Sequence, residues 1–255
     1  MDIELAWNGP AATITLNRPA KRNAMTLDMW RRVPVLVEQA LARDTTRLLL
    51  LRGSGGSFCA GADIAEFPAA YASAEAAIAN QRSIQAAMAA VEQCPLPTLA
   101  AIEGPCYGGG CGLSLACDLR FAADSATFAI TPAKLGLVYG IDDTRRLAAA
   151  VGPSRAKDIL FTGRTMTAAE AMQMGLVNAV HPAGELDQAI ARLAANLASV
   201  SLHSARATKK ILARLADGCN HDDDESRAMF AGAFEGPDFR EGFAAFMERR
   251  PPKFS

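Results

Sequence analysis

Short apolar runs alternate with longer stretches of helical period along this chain, and glycine-rich segments follow two of the apolar runs. Residues 3–7 and 11–16 alternate on either side of Asn8-Gly9-Pro10, which predicts a hairpin. Thr26 can cap a helix running to about Ala42, with Pro34 inside it. A strand is expected over 46–52, then an alanine-rich helix over 74–93 that stops at Cys94-Pro95-Leu96-Pro97. Thr98 to Ile102 reads as a strand, and Leu113 to Cys117 is apolar enough for a buried helix. Asp118 to Ala123 and Ala126 to Ile130 read as a strand pair. Asp142 or Asp143 opens a helix that Val151-Gly152-Pro153 closes, followed by helices at 154–162 and 167–174, a strand at 177–180 and a helix at 184–198. From 201 the period is helical, in segments of about 203–217, 222–233 and 238–249. The pattern is α/β, with a main body over 1–200 and a helical region over 201–255.

Composition narrows the classes of function. Half of the 255 residues are hydrophobic, enough for one large domain with an appendage. The net charge is -1 with no basic block, which argues against nucleic acid as a partner. No run is long and apolar enough for a membrane span or a secretory leader, so no membrane association and a cytoplasmic location are expected. The six cysteines contain no C-x-x-C pair, and Cys106, Cys111 and Cys117 have the wrong spacing for zinc. Free thiols and no metal are the expectation. The three histidines all lie downstream of the glycine-rich segments, which disfavours a Ser-His or Cys-His nucleophile there.

Those segments carry the chemistry. Gly108 to Gly110 follow the Thr98–Ile102 run and precede the short apolar helix. Gly53-Ser-Gly-Gly-Ser-Phe-Cys-Ala-Gly-Ala-Asp63 follows Leu48 to Leu51. Glycine lets a backbone N–H approach a ligand, and a helix start presents free N–H groups to negative charge. Each loop could supply one N–H to a shared oxyanion hole. A dinucleotide fingerprint fails because Phe58 stands where a glycine is required, and no G-K-[ST] follows for a P-loop. Cys59 has no nearby base in sequence, and Asp63 suits a helix cap or loop brace.

Ala60-Gly-Ala-Asp-Ile64, the Gly108–Gly110 triplet and the Asn17-Arg-Pro…Asn23-Ala24 segment together resemble the enoyl-CoA hydratase/isomerase (crotonase) superfamily. The resemblance spans nearly the whole chain, including the tail from Gly236 to Phe254. It implies a spiral of repeated ββα units with a C-terminal helical region that packs at subunit contacts, in a homotrimer or dimer of trimers. It also implies an acyl-CoA thioester as substrate, with coenzyme A entering as part of it and no separate cofactor. On this reading the Ala60 and Gly109 N–H groups hold the thioester oxygen as it becomes an enolate. Lys21, Arg22 and Lys253 would meet the CoA phosphates, with Ala24 beside them. The backbone of Ala62, Asp63 and Ile64 would meet the adenine end. Tyr107 is either core or acyl-pocket wall, as are Phe67 and Leu137.

The chain departs from the family where hydration chemistry sits. Hydratases of the family place one glutamate two residues after the glycine triplet, which is Gly112 here. The second belongs near Thr131-Pro-Ala-Lys-Leu-Gly136, which has no carboxylate. Some isomerase and dehalogenase relatives carry an aspartate four residues after that last glycine, and Gly140 stands there. The nearby acids are Asp142 and Asp143, and Asp142 is taken as the proton-transfer group. Thr131-Pro-x-x-Leu-Gly-x-x-Tyr139 partly resembles the methylmalonyl-CoA decarboxylases of the superfamily, in which a tyrosine at this point orients the substrate carboxylate. Isomerisation or decarboxylation then ranks above hydration, because each needs fewer acid–base groups. A protein that binds acyl-CoA without turnover is the alternative from another class.

Overall fold

The computed structural model describes residues 1–254. Strands β1 (Ile3–Asn8) and β2 (Ala11–Leu16) form the expected hairpin, with Asn8 paired to Ala11. Helix α1 (Leu27–Leu41) is capped by the Thr26 side chain on the Met29 N–H and runs unbroken through Pro34. Its buried face, Met29, Trp30, Val33, Leu36, Val37 and Ala40, repeats at helical spacing.

β3 (Leu48–Gly53), a short helix α2 (Phe67–Ala70) and α3 (Ala74–Glu92) come next, then β4 (Thr98–Ile102) and β5 (Pro105–Tyr107). Helix α4 (Gly109–Leu115) begins inside the glycine triplet, four residues earlier than the apolar run suggests. β6 (Leu119–Ala123) and β7 (Thr127–Ala129) are both present but do not pair with each other. The chain passes from one sheet to another between them, so the expected strand pair is corrected: β6 joins the larger sheet in parallel with β4, and β7 joins the smaller in parallel with β5. α5 (Ile141–Val151), α6 (Pro153–Thr162), β8 (Met166–Thr167), α7 (Ala168–Met174), β9 (Ala179–His181) and α8 (Leu186–Ala198) complete the body. The predicted strand at 177–180 starts later, because Leu176 and Val177 plug the core before β9 begins. α9 (Leu202–Ala216), α10 (Asp224–Glu235) and α11 (Pro237–Glu248) follow.

The larger sheet has the order β1-β2-β3-β4-β6-β9 and is parallel after the hairpin. The smaller has the order β5-β7-β8. Successive turns of chain leave one strand in the first sheet, one in the second and a helix outside, which is a spiral of ββα units. The strands β3 and β4 are apolar on both faces, as a sheet covered on both sides requires. The functional consequence lies at their ends: the chain leaving β3 and the chain leaving β4 run side by side, joined at Cys59 and at Cys106 of β5.

Candidate active site

The two glycine loops meet. The Tyr107 N–H donates to the Cys59 carbonyl at 2.8 Å, and the Cys59 N–H donates to the Pro105 carbonyl at 3.0 Å. A Cβ on Gly110 would stand 2.5 Å from the Cys59 carbonyl oxygen, so only glycine lets α4 begin this close to the first loop. Gly61, at φ +102°, turns the first loop over the Tyr107 carbonyl.

This contact decides which amides are free. The Ala60 N–H donates to the Arg22 carbonyl at 2.9 Å and is spent on holding the Asn17–Met25 loop. Met25 bridges Gly61 and Asp63 across the same seam: its carbonyl accepts from the Asp63 N–H, and its N–H donates to the Gly61 carbonyl. Among the described residues, no acceptor takes the N–H of Ala62 or of Gly109, the first residue of α4. A Cβ on Gly109 would stand 3.9 Å from the Ala62 nitrogen and 3.1 Å from the Trp30 ring. Of the expected pair, Gly109 keeps a free N–H and Ala60 does not; the free N–H nearest Gly109 in the first loop is that of Ala62.

Both amides belong to the wall of a cavity of about 420 Å³. Trp30, Met88, Ile84 and Tyr107 line it, with Phe67 at the start of α2 and Leu137 in the loop before α5 also on its wall. The Tyr107 hydroxyl bonds Thr127 Oγ1 at 3.0 Å, which fixes its ring as wall. Ile64 lies exposed at the cavity, and Asp63 beside it braces the loop. Asp63 accepts from the Ala65 N–H at 3.0 Å and pairs with Arg18 at 2.8 Å. The Ala65 bond and the Arg18 guanidinium hold its carboxyl below the usual carboxylate range.

Asp142 does not reach the cavity. It is exposed on the first turn of α5, whereas Asp143 faces inward with only 8% of its surface exposed. The helix sets this phase, because Asp143 shares the face of Arg146, Leu147 and Val151. Asp142, the expected proton-transfer residue, therefore lies off the cavity wall, and its neighbour Asp143 lines it. Its carboxylate lies beside Gly112 and Gly140, two positions where the family resemblance implies an acid. A Cβ on Gly112 would stand 3.4 Å from Asp143 Oδ1, and a Cβ on Gly140 would stand 3.6 Å from Asp143 Oδ2. Met88 fills the rest of the room at Gly112, with its Cε 2.6 Å from that Cβ position. Burial pushes the Asp143 carboxyl above its ordinary value, against a hydrogen bond from Gln85 and the nearby Arg146 charge.

Tyr139 also lines the cavity, but its hydroxyl donates to the Gly108 carbonyl at 2.9 Å. It ties the loop before α5 to the glycine triplet, and burial pushes its phenol well above its ordinary value. Burial likewise pushes the Cys59 thiol up to about 12, which leaves it unreactive near neutrality. Lys21 and Arg22 are exposed on the turn before Ala24, with no ion pair among the described residues, and they lie outside the cavity wall. Lys253 is also outside it, with its backbone N–H on Glu241 at 2.6 Å. The described residues hold no cluster of His, Cys, Asp and Glu able to bind a metal, and no helix is long and apolar enough to cross a membrane.

A family model described as Enoyl-CoA hydratase/isomerase matches residues 8–255. A solved structure from Hyphomonas neptunium, assigned to the enoyl-CoA hydratase/isomerase family, superposes with a TM-score of 0.97 at 45% identity, covering 100% of this chain and 98% of its own. A Mycobacterium bovis protein named as an enoyl-CoA hydratase is 36% identical over 247 residues, covering 95% of this chain and 93% of its own. The peroxisomal Delta(3,5)-Delta(2,4)-dienoyl-CoA isomerase of Arabidopsis thaliana is 30% identical over 260 residues, covering 95% and 91%. The chain belongs to the enoyl-CoA hydratase/isomerase family and has its crotonase fold.

Proposed function

We propose that this protein shifts a double bond along an acyl-CoA thioester, holding the enolate in a backbone oxyanion hole and moving the proton on one carboxylate. The thioester oxygen sits between the Ala62 and Gly109 N–H groups, which strengthen their hydrogen bonds as charge develops on it. Asp143 removes a proton from one carbon of a 3-enoyl thioester and returns it to another. A single base suffices, since the proton taken is the proton given back. Hydration needs one group to activate water and another to protonate Cα. The observation that carries this reading is the lone inward carboxylate, beside Gly112, in the cavity that Ala62 and Gly109 also line.

Decarboxylation through Tyr139 is less well supported, because its hydroxyl is committed to Gly108. Binding without turnover is disfavoured by the cost of keeping an inward carboxylate whose Oδ1 has no hydrogen-bond partner. Lys21 and Arg22 are assigned to the CoA phosphates because they are uncommitted cations beside the Ala24 turn. Lys253 and the Ala62–Ile64 backbone are kept as CoA contacts on the family's arrangement. The helical region from residue 201 is assigned to subunit contacts in a trimer or dimer of trimers, since Phe230, Phe234, Phe243 and Phe246 are exposed there. Free cysteines suit a cytoplasmic setting. The experiment is conversion of 3-hexenoyl-CoA to 2-hexenoyl-CoA by wild type and Asp143→Asn. Loss in the variant supports the reading, and equal rates reject it.

A further inference from the structure

The carboxylate of Asp143 is held by a chain of polar side chains that the reaction itself does not name. Gln85, on α3, donates from Nε2 to Asp143 Oδ2 at 2.7 Å. Gln85 Oε1 accepts from Arg146 Nη1 at 3.3 Å. Arg146 in turn donates from Nε and Nη2 to Glu92 Oε2, at 3.0 and 2.7 Å. Arg146 is almost wholly buried, so its charge is answered by Glu92 rather than by water.

The direction of each bond in this chain is determined. A guanidinium has donors only, so the Gln85 oxygen must face Arg146 and its NH₂ must face Asp143. Oδ2 then meets a donor and must accept. If the carboxyl carries a proton, that proton is on Oδ1. Among the described residues Oδ1 has no hydrogen-bond partner, and Arg146 Nη1 lies 3.7 Å away, too far for one. Oδ1 is also the oxygen nearer Gly112, the fourth residue of α4, whereas Oδ2 lies nearer Gly140.

Resting on the isomerase reading above, we propose that Glu92, Arg146 and Gln85 are positioning residues that make Asp143 Oδ1 the one atom carrying the transferred proton. The groups around Asp143 are few. Gln85 faces it from α3, Arg146 and Asp142 from α5, and Tyr139 from the preceding loop. From α4 comes Gly112, which brings no titratable group. Because Gln85 bonds the charged form of the carboxylate, it lowers the pKa that burial raises. Its removal leaves burial less opposed.

The test is a carbon-13 carboxyl titration of the aspartate-labelled protein, with the Asp143 signal assigned by its loss in Asp143→Asn. Rates with 3-hexenoyl-CoA are recorded over the same pH range. In Gln85→Leu the titration should move up by about one pH unit, and the acid limb of kcat/KM should move with it. Arg145→Met removes the other partner of Glu92 without touching Gln85, and should leave both unchanged. Gln85→Glu keeps the shape of the side chain should the leucine variant misfold, and it too should raise the titration. A titration unmoved in both Gln85 variants overturns the proposal. If Asp143→Asn loses turnover while Gln85→Leu leaves the titration in place, only the positioning chain is wrong. Full turnover in Asp143→Asn overturns the base assignment and this proposal together.

Discussion

Asp143 Oδ1 lies 3.4 Å from the point where a side chain on Gly112 would begin. This carboxylate is delivered from α5 and lies beside Gly112, where the family resemblance implies a glutamate on α4. Among the described residues Asp143 is the one acid lining the cavity, where the resemblance to hydratases implies two glutamates. Four consequences can be measured.

Restoring the family glutamate should not restore a hydratase. In Gly112→Glu the new Cβ meets Met88 Cε at 2.6 Å and brings a second carboxylate beside Asp143. Overpacking of this kind costs about 1–3 kcal/mol, and like charges add to it. Thermal melts should fall, and hydration of crotonyl-CoA should stay at background. Adding Met88→Ala should recover part of the melting temperature by emptying that space.

Removing an oxyanion donor should separate catalysis from binding. Ala62→Pro deletes the free N–H while leaving the Ala60 bond to Arg22 in place. Turnover should drop by about 10²–10³, with acyl-CoA affinity measured by calorimetry changing far less. Ala60→Pro, by contrast, breaks the seam to Arg22 and should show chiefly as lost stability in a melt.

Asp143 should make the wild type less stable as pH rises. Its folded pKa is raised, so between the unfolded value and that raised value the folded state binds more protons. Stability falls with increasing pH across this window and levels off above it. Asp143→Asn should melt higher than wild type at neutral and alkaline pH, and the gap should close on acidification below the ordinary aspartate range. Activity runs the other way, rising with pH as the base deprotonates.

Asp63 gives the opposite sign. Its folded pKa is lowered by the Ala65 N–H and Arg18, so its contribution is present above the ordinary aspartate value and is lost as pH falls through the lowered one. Asp63→Asn should cost about 1 kcal/mol at neutral pH in chemical denaturation, and less in acid.

Much of this was legible along the chain because both loops are short and their glycines are forced by close backbone contact. The spacing of Ala60 to Ile64 and of Gly108 to Gly110 located the site, but could not say which amide is spent. That depends on Arg22, whose carbonyl reaches Ala60 from a loop some forty residues earlier in sequence. The choice between Asp142 and Asp143 was available in the helical phase. Leu147 and Val151 mark the buried face of α5, and Asp143 lies one turn before Leu147. Gln85, Arg146 and Glu92 carried no such signal. They are ordinary polar residues of two helices, and only the packing of α5 over α3 makes them a chain. The same limit applies to β6 and β7, whose adjacency in sequence hides their separation into two sheets.

The most direct measurement follows the proton itself. Wild type, Asp142→Asn and Asp143→Asn are each mixed with 3-hexenoyl-CoA in heavy water, and mass spectrometry reads product and label. Wild type and Asp142→Asn should form 2-hexenoyl-CoA at similar rates. Asp143→Asn should lose a factor of about 10²–10⁴ in both isomerisation and exchange. Full activity in Asp143→Asn, or loss confined to Asp142→Asn, would contradict the assignment of Asp143 as the base.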